Sequence, residues 1–155
     1  MSATDCVIEA TARSVPTLRF DASQLRHLEA LATAGYPEEV CGLLIGHEAN
    51  GEVLVSRAVQ ANNLATDRRR DRYLLDPDDF VAADDQARRD GLQIVGIWHT
   101  HPDHPARPSP TDIARAWVGY VYLILSVGAE GLIARRSWLL NGSSTIEQRI
   151  EESAP

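Results

Sequence analysis

With 155 residues, 44% of them hydrophobic and 24% charged, the chain has the size and composition of one folded domain and not of a disordered segment. Its formal net charge of -7 excludes sequence-independent nucleic-acid binding, which draws its affinity from Lys and Arg neutralising phosphates. Its two cysteines, Cys6 and Cys41, are too few for a disulfide framework and form no C-x-x-C pair, so no thiolate metal site or redox motif is supported. No basic segment leads into an apolar stretch near Met1, and no apolar run approaches the ~18 residues of a bilayer span. The expectation is a cytoplasmic protein that contacts neither membrane nor nucleic acid.

Residues 1–15 read as a flexible N-terminal tail and 151–155 as a flexible C-terminus, leaving 16–150 as the domain. Thr17 to Phe20 is a short predicted strand. Asp21 is placed to cap a helix carrying Leu25, Leu28, Leu31 and Ala32 at helical spacing as far as Gly35-Tyr36-Pro37. The apolar run Val40 to Ile45 predicts a buried strand and Val53 to Val59 its partner, with Ala49-Asn-Gly51 as hairpin residues. A polar, Arg-rich segment over 61–75 precedes Asp76-Pro77, a cap and a first-turn proline for a helix with Phe80, Ala83 and Ala87 on its apolar stripe and Gly91 at its end. Leu92 to Trp98 returns as a strand. The Pro-rich loop Pro102 to Pro108 then leads to a helix start at Ser109-Pro110. Three further strands are expected over Tyr120 to Val127, Leu132 to Leu140 and Thr145 to Ile150, separated by turns at Gly128 to Gly131 and Asn141-Gly142. This order of elements predicts an α/β (α+β) domain, a mixed sheet flanked by helices.

The chemistry concentrates in residues 99–112. His99 and His101 lie two apart at the end of a strand, so their side chains leave the same face and can share one metal ion. Asp112, in the first turn of the following helix, can bring a carboxylate back to them. Two imidazoles and a carboxylate are three ligands of the kind a catalytic zinc site uses, with the fourth position open for water. A plainer reading accompanies this one: Ser109-Pro-Thr-Asp112 is also a helix-start signature, and both can hold, since capping would fix Asp112 in place.

The spacing His99-x-His101, seven residues, Ser109, two residues, Asp112 resembles the JAMM (MPN+) metallopeptidase motif. Pro37-Glu-Glu-Val-Cys-Gly-Leu-Leu-Ile-Gly46 is similar to the family's upstream Glu segment, and the spacing to Gly42 aligns Glu39, not Glu38, with the catalytic Glu. Tyr73-Leu-Leu-Asp-Pro77 and Gly96-Ile-Trp-His-Thr-His-Pro102 have counterparts in the small stand-alone bacterial branch. The resemblance implies the JAMM/MPN (cytidine-deaminase-like) fold and one zinc ion per chain, held by His99, His101 and Asp112. It implies Glu39 as general base and then acid, and Ser109 as hydrogen-bond donor to the oxyanion. It further implies cleavage after the C-terminal Gly-Gly of a ubiquitin-like protein of the sulphur-carrier type, as peptidase or isopeptidase. The alternative is a non-catalytic MPN-type interaction module, against which the complete residue set argues. A zinc nucleobase deaminase is excluded because its H-x-E and P-C-x-x-C signatures are absent.

The other reactive side chains have plainer assignments. Cys41, in an apolar strand, reads as a small buried hydrophobe. His104 reads as an exposed loop residue beside the site, and His27 and His47 as surface residues. Trp98 and Trp117 read as core or rim packing. Arg68, Arg69, Arg70 and Arg72 form either a solvated loop or a patch that steers an acidic partner.

Overall fold

A computed structural model describes residues 15–153; Cys6 and nearly all of the expected N-terminal tail lie outside the described residues. The elements are β1 (Thr17–Asp21), α1 (Ala22–Ala34), β2 (Cys41–Ala49), β3 (Glu52–Ala61), α2 (Pro77–Arg89), β4 (Gln93–Pro102), α3 (Pro110–Arg115), β5 (Val121–Gly128), β6 (Gly131–Leu140), β7 (Thr145–Gln148) and β8 (Ile150–Ser153). The strands form one mixed sheet, as the order of helices and strands predicts, and their order in it is β7-β6-β5-β4-β2-β3-β1-β8. Continuous apolar runs make β2, β4 and β5 its centre, because strands covered on both faces need no polar alternation. The β2–β3 hairpin turns at Asn50 and Gly51, both at positive φ (53° and 74°), which is the conformation a tight two-residue hairpin requires.

Two cores lie on opposite faces of this sheet. On one face α1, capped by the Asp21 carboxylate accepting from the Ser23 N–H, buries Leu25, Leu28 and Ala32 against Leu18, Phe20, Val55, Trp98 and Leu123. It touches β1, β3, β5, β6 and β8, so the sheet curls around it. The other face carries Leu43, Ile97, Tyr122 and Ile124 under Phe80 and Ala87 of α2. Strand alternation extends the Ile97 row through His99 to His101, so both histidines emerge on the α2 side.

Gly42 explains one contact that crosses the middle strand β2 from β4 to β3. The Trp98 indole N–H donates to the Val59 carbonyl at 3.0 Å, and a Cβ on Gly42 would lie 2.0 Å from that oxygen and 2.4 Å from Trp98 Nε1. Only glycine leaves room for this bond.

The C-terminal expectation needs correcting. Instead of one strand to Ile150 and a flexible end, the chain breaks at Arg149 into β7, antiparallel to β6, and β8, parallel to β1. The two strands occupy opposite ends of the sheet order, and the curl brings those edges within a single residue of each other. The Leu18 N–H donates to the Arg149 carbonyl at 2.8 Å, and Arg19 bridges Glu52 at 2.7 Å and Glu151 at 2.8 Å. Backbone pairing to β1 and this ion-pair network order residues 151–153. Among the described residues no helix is long and apolar enough to cross a membrane.

Candidate active site

Strand β4 delivers two imidazoles and α3 one carboxylate to a common point. His99 Nε2 lies 3.1 Å from His101 Nε2, and Asp112 presents Oδ1 to His99 and Oδ2 to His101, each at 3.2 Å. All three side chains are buried. The parallel β4–β5 crossover places α3 over the end of β4, which is why residues eleven apart in sequence meet. Ser109 makes the meeting specific. Its hydroxyl accepts the Asp112 N–H at 3.1 Å while the Asp112 carboxylate accepts the Ser109 N–H at 2.8 Å, a reciprocal capping box. The sequence-based cap and the sequence-based ligand are therefore one arrangement.

The donor set fits a divalent metal of the zinc type. His101 Nδ1 lies 2.8 Å from the Pro105 carbonyl, which can only accept, so the ring proton sits on Nδ1 and the Nε2 lone pair faces His99 and Asp112. Two imidazole acceptors and a carboxylate this close repel one another unless a proton or cation lies among them. The ligand atoms all fall within 4.8 Å of one another, close enough for one ion. Burial lowers the His99 pKa. Burial also opposes charging His101, but the Asp112 and Pro105 hydrogen bonds outweigh it and raise that pKa. Burial alone would raise the Asp112 carboxyl; when the facing ring nitrogens of His101 and His99 carry protons, their hydrogen bonds hold it well below the usual carboxylate range.

Glu39 lies two residues before the start of β2 and is 5% exposed, and its Oε2 is buried without a hydrogen-bond partner among the described residues. Burial pushes its pKa up to about 8, against a smaller opposing pull from His101. Its neighbour Glu38 points outward and pairs with Arg69 at 3.2 Å. Of the two candidates, the structure brings Glu39 and not Glu38 to the site. Glu39, Ser109 and Asp112 line one groove of about 640 Å³, whose other walls include Arg72, Tyr73, Leu74, Phe80, Val81 and Trp117.

Three features of the site had no clear sequence signal. The Tyr73 ring stacks on His99 with centroids 4.5 Å apart and planes 26° apart; its Tyr-Leu-Leu-Asp-Pro context marked the segment but not this contact. Pro105 acts through its backbone carbonyl, which no side-chain pattern reveals. The groove rim of Leu74, Val81 and Trp117, each more than half exposed, comes from two segments far apart in sequence.

The plainer assignments also meet the structure. Cys41 is fully buried, and burial pushes its thiol up to about 12, so it is inert packing. His27, His47 and His104 are exposed, Trp98 is core and Trp117 is rim. Arg68 pairs with Asp71 at 2.5 Å, Arg69 with Glu38, and Arg70 with Asp103 at 3.9 Å. Their charge is largely answered within the chain, which favours the solvated-loop reading. Arg72 instead lines the groove.

Residues 21–141 match the family described as prokaryotic homologs of the JAB domain. The chain belongs to this family. It is 37% identical over 117 residues to a desampylase of Haloferax volcanii, covering 75% of this chain and 81% of the relative. It is 34% identical over 98 residues to a probable TtuB-protein conjugate cleaving protease of Thermus thermophilus, covering 63% of this chain and 61% of that one. Among solved structures, a Desulfitobacterium hafniense protein superposes with a TM-score of 0.79 at 28% identity, covering 90% of this chain and 94% of that one. A Salinibacter ruber protein does so at 0.69 with 35% identity, covering 88% and 92%. The JAMM resemblance is thereby borne out, and the chain is a JAMM-type hydrolase. This family and the His99, His101 and Asp112 cluster are consistent with a bound metal ion.

Proposed function

We propose that the protein is a zinc-dependent isopeptidase or peptidase that hydrolyses the amide bond after the C-terminal Gly-Gly of a ubiquitin-like, sulphur-carrier-type protein. The observation that carries the reading is Glu39: a buried carboxyl with an unpartnered oxygen, sharing a groove with Ser109 and Asp112. A structural carboxylate is normally paired, so an unpaired one at the ligand cluster points to proton transfer. The names of the relatives, a desampylase and a conjugate cleaving protease, support conjugates as the substrate class.

The chemistry follows from the positions of the residues. His99, His101 and Asp112 would hold one zinc ion, which when bound supplies a Lewis acid and a water acidified to a pKa of about 7. Glu39, buried with an unpartnered oxygen in the same groove as Ser109 and Asp112, is placed to take the water proton and return it to the leaving amine. Ser109 accepts the Asp112 N–H, but a hydroxyl also donates, and that proton is directed to the oxyanion of the tetrahedral intermediate. The groove takes an extended tail. Its apolar rim supplies contact area beside the scissile bond, and absence of side chains at Gly-Gly lets the tail enter deeply.

The test is mass spectrometry of a ubiquitin-like carrier joined through Gly-Gly to a C-terminal extension or a lysine. Zinc-loaded protein, carrying one equivalent by metal analysis, should release the carrier at that bond, and chelator or His99→Ala should abolish both metal and cleavage. Equal cutting of an Ala-Ala carrier, or full activity in chelator, would refute the reading.

A further inference from the structure

Asn63 has no part in the chemistry above, yet its side-chain amide spends its full hydrogen-bonding capacity around the site. Nδ2 donates to the carbonyls of Glu39 at 3.1 Å and Arg72 at 3.2 Å. Oδ1 accepts from the N–H groups of Ala65 at 3.0 Å and Leu74 at 2.9 Å. A primary amide offers two donors and two lone pairs, so nothing is left over for water. Such saturation on four backbone groups is far more than a turn residue needs.

The bonded groups belong to the two walls of the site. One is the segment carrying Glu39. The other is the stretch around Tyr73, since the Arg72 carbonyl and the Leu74 N–H flank the residue whose ring stacks on His99. Asn63 is itself fixed, just past the end of β3 and bridged to Leu75. The other backbone link between the walls runs from the Glu39 N–H to the Arg69 carbonyl at 2.6 Å, three residues short of Arg72. It restrains the loop at Arg69. Among the described residues the Tyr73 stretch is tied by backbone bonds only to the segment carrying Asn63, through the Leu64 N–H to the Leu74 carbonyl at 2.7 Å and the Asp76 N–H to the Asn62 carbonyl at 3.1 Å. The Asn63 amide is what joins it to the Glu39 wall.

We propose that Asn63 is a positioning residue: its amide clamps the Glu39 and Tyr73 backbones together and so sets the Glu39 carboxyl against the His99 side of the site. The proposal rests on Glu39 acting as the base, as proposed above. A displacement of about 1 Å in a reacting group can cost on the order of 10²-fold in rate. A side chain that touches neither substrate nor metal can therefore control turnover.

The decisive experiment is a double-mutant cycle on the zinc-loaded protein with a carrier conjugate. Asn63→Asp keeps the size and the acceptor but turns both donors into an oxygen facing two carbonyls; Asn63→Ala removes all four bonds without adding charge, and both variants are read. Each should retain one equivalent of zinc, because no ligand is touched, while kcat falls about 10²-fold with KM changed less than about threefold. In a Glu39→Gln background, where there is no base to misplace, the same substitutions should change the residual rate by less than about twofold. A general structural defect would slow both backgrounds alike. Equal losses in the two backgrounds, an unchanged kcat or lost zinc would each overturn the proposal. If the wild type cuts no conjugate, the proposed function fails by itself. The clamp is then read from hydrogen exchange: Asn63→Ala should speed exchange at the Ala65 and Leu74 amides by at least about tenfold, and unchanged protection would refute it.

Discussion

Replacing Glu39 by Gln should stabilise the metal-free protein at alkaline pH while disabling the enzyme. In the folded chain, burial raises this carboxyl from its ordinary 4.5 to about 8, whereas the unfolded chain releases the proton near the ordinary value. Between those limits the folded state binds more protons than the unfolded state, so stability falls as pH rises. The contribution is intact below about 4.5 and fully lost above about 8. At about 1.4 kcal/mol for each tenfold change in acidity, the ceiling is about 5 kcal/mol. Glutamine removes the charge but must bury an NH2 group without an assured partner, which returns about 1–3 kcal/mol. A net gain of about 2–4 kcal/mol is therefore expected at pH 8.5, reversing to a net loss of about 1–3 kcal/mol at pH 4.5, where the folded wild type keeps its proton and only the glutamine penalty remains. Urea melts of both proteins in chelator at the two pH values measure it, and the difference between proteins cancels the titrating groups that do not sense Glu39. Turnover of the zinc-loaded variant should fall about 10²-fold or more at unchanged metal content. If Glu39→Gln is no more stable than wild type at pH 8.5, the carboxylate is not held unpaired and the argument for its role fails.

Ser109→Ala should cost about 1 kcal/mol through the lost cap and about 10²-fold in kcat through the lost oxyanion donor. Ser109→Asp, which still caps, should recover the stability in thermal melts without recovering the rate; a fully active Ser109→Ala would leave only the capping role. Gly42→Ala should destabilise by about 3 kcal/mol or more, since the new methyl must displace the Val59 carbonyl or the Trp98 indole and break their bond. An unchanged urea midpoint would show that the strands separate there at little cost.

The parts of the fold visible in the sequence were those set by local chemistry. Asp21, Asp76 and Ser109 are side-chain caps that begin helices wherever they stand, and Asn50-Gly51 turns a hairpin by its own backbone preference. The pairing of His99 with His101 follows from strand alternation alone. What stayed hidden depends on pairing across the whole chain. Nothing local to Ile150–Ser153 distinguishes an edge strand from a frayed end; only the distant β1, with Arg19 reaching Glu151, gives it a partner. The same holds for Tyr73 on His99 and for Asn63, whose four bonds are to backbone groups and so leave no side-chain pattern. The choice between the two readings of Arg68 to Arg70 needed the fold, because sequence does not show that Glu38 and Asp103 lie against Arg69 and Arg70.

The meeting of the sheet's two edges at Arg149 also bears on how the protein is made. Leu18 pairs with Ile150 across 132 positions of chain, so the outer edge of β1 waits until β8, synthesised long after it, has emerged from the ribosome. During that interval every other strand can find its neighbour, but β1 offers open N–H and C=O groups to any passing extended chain. Such late, long-range closure is slow because the loop entropy is paid before the contact rewards it. Short length and the charged pair Arg19 and Glu52 keep that waiting edge from acting as an adhesive one.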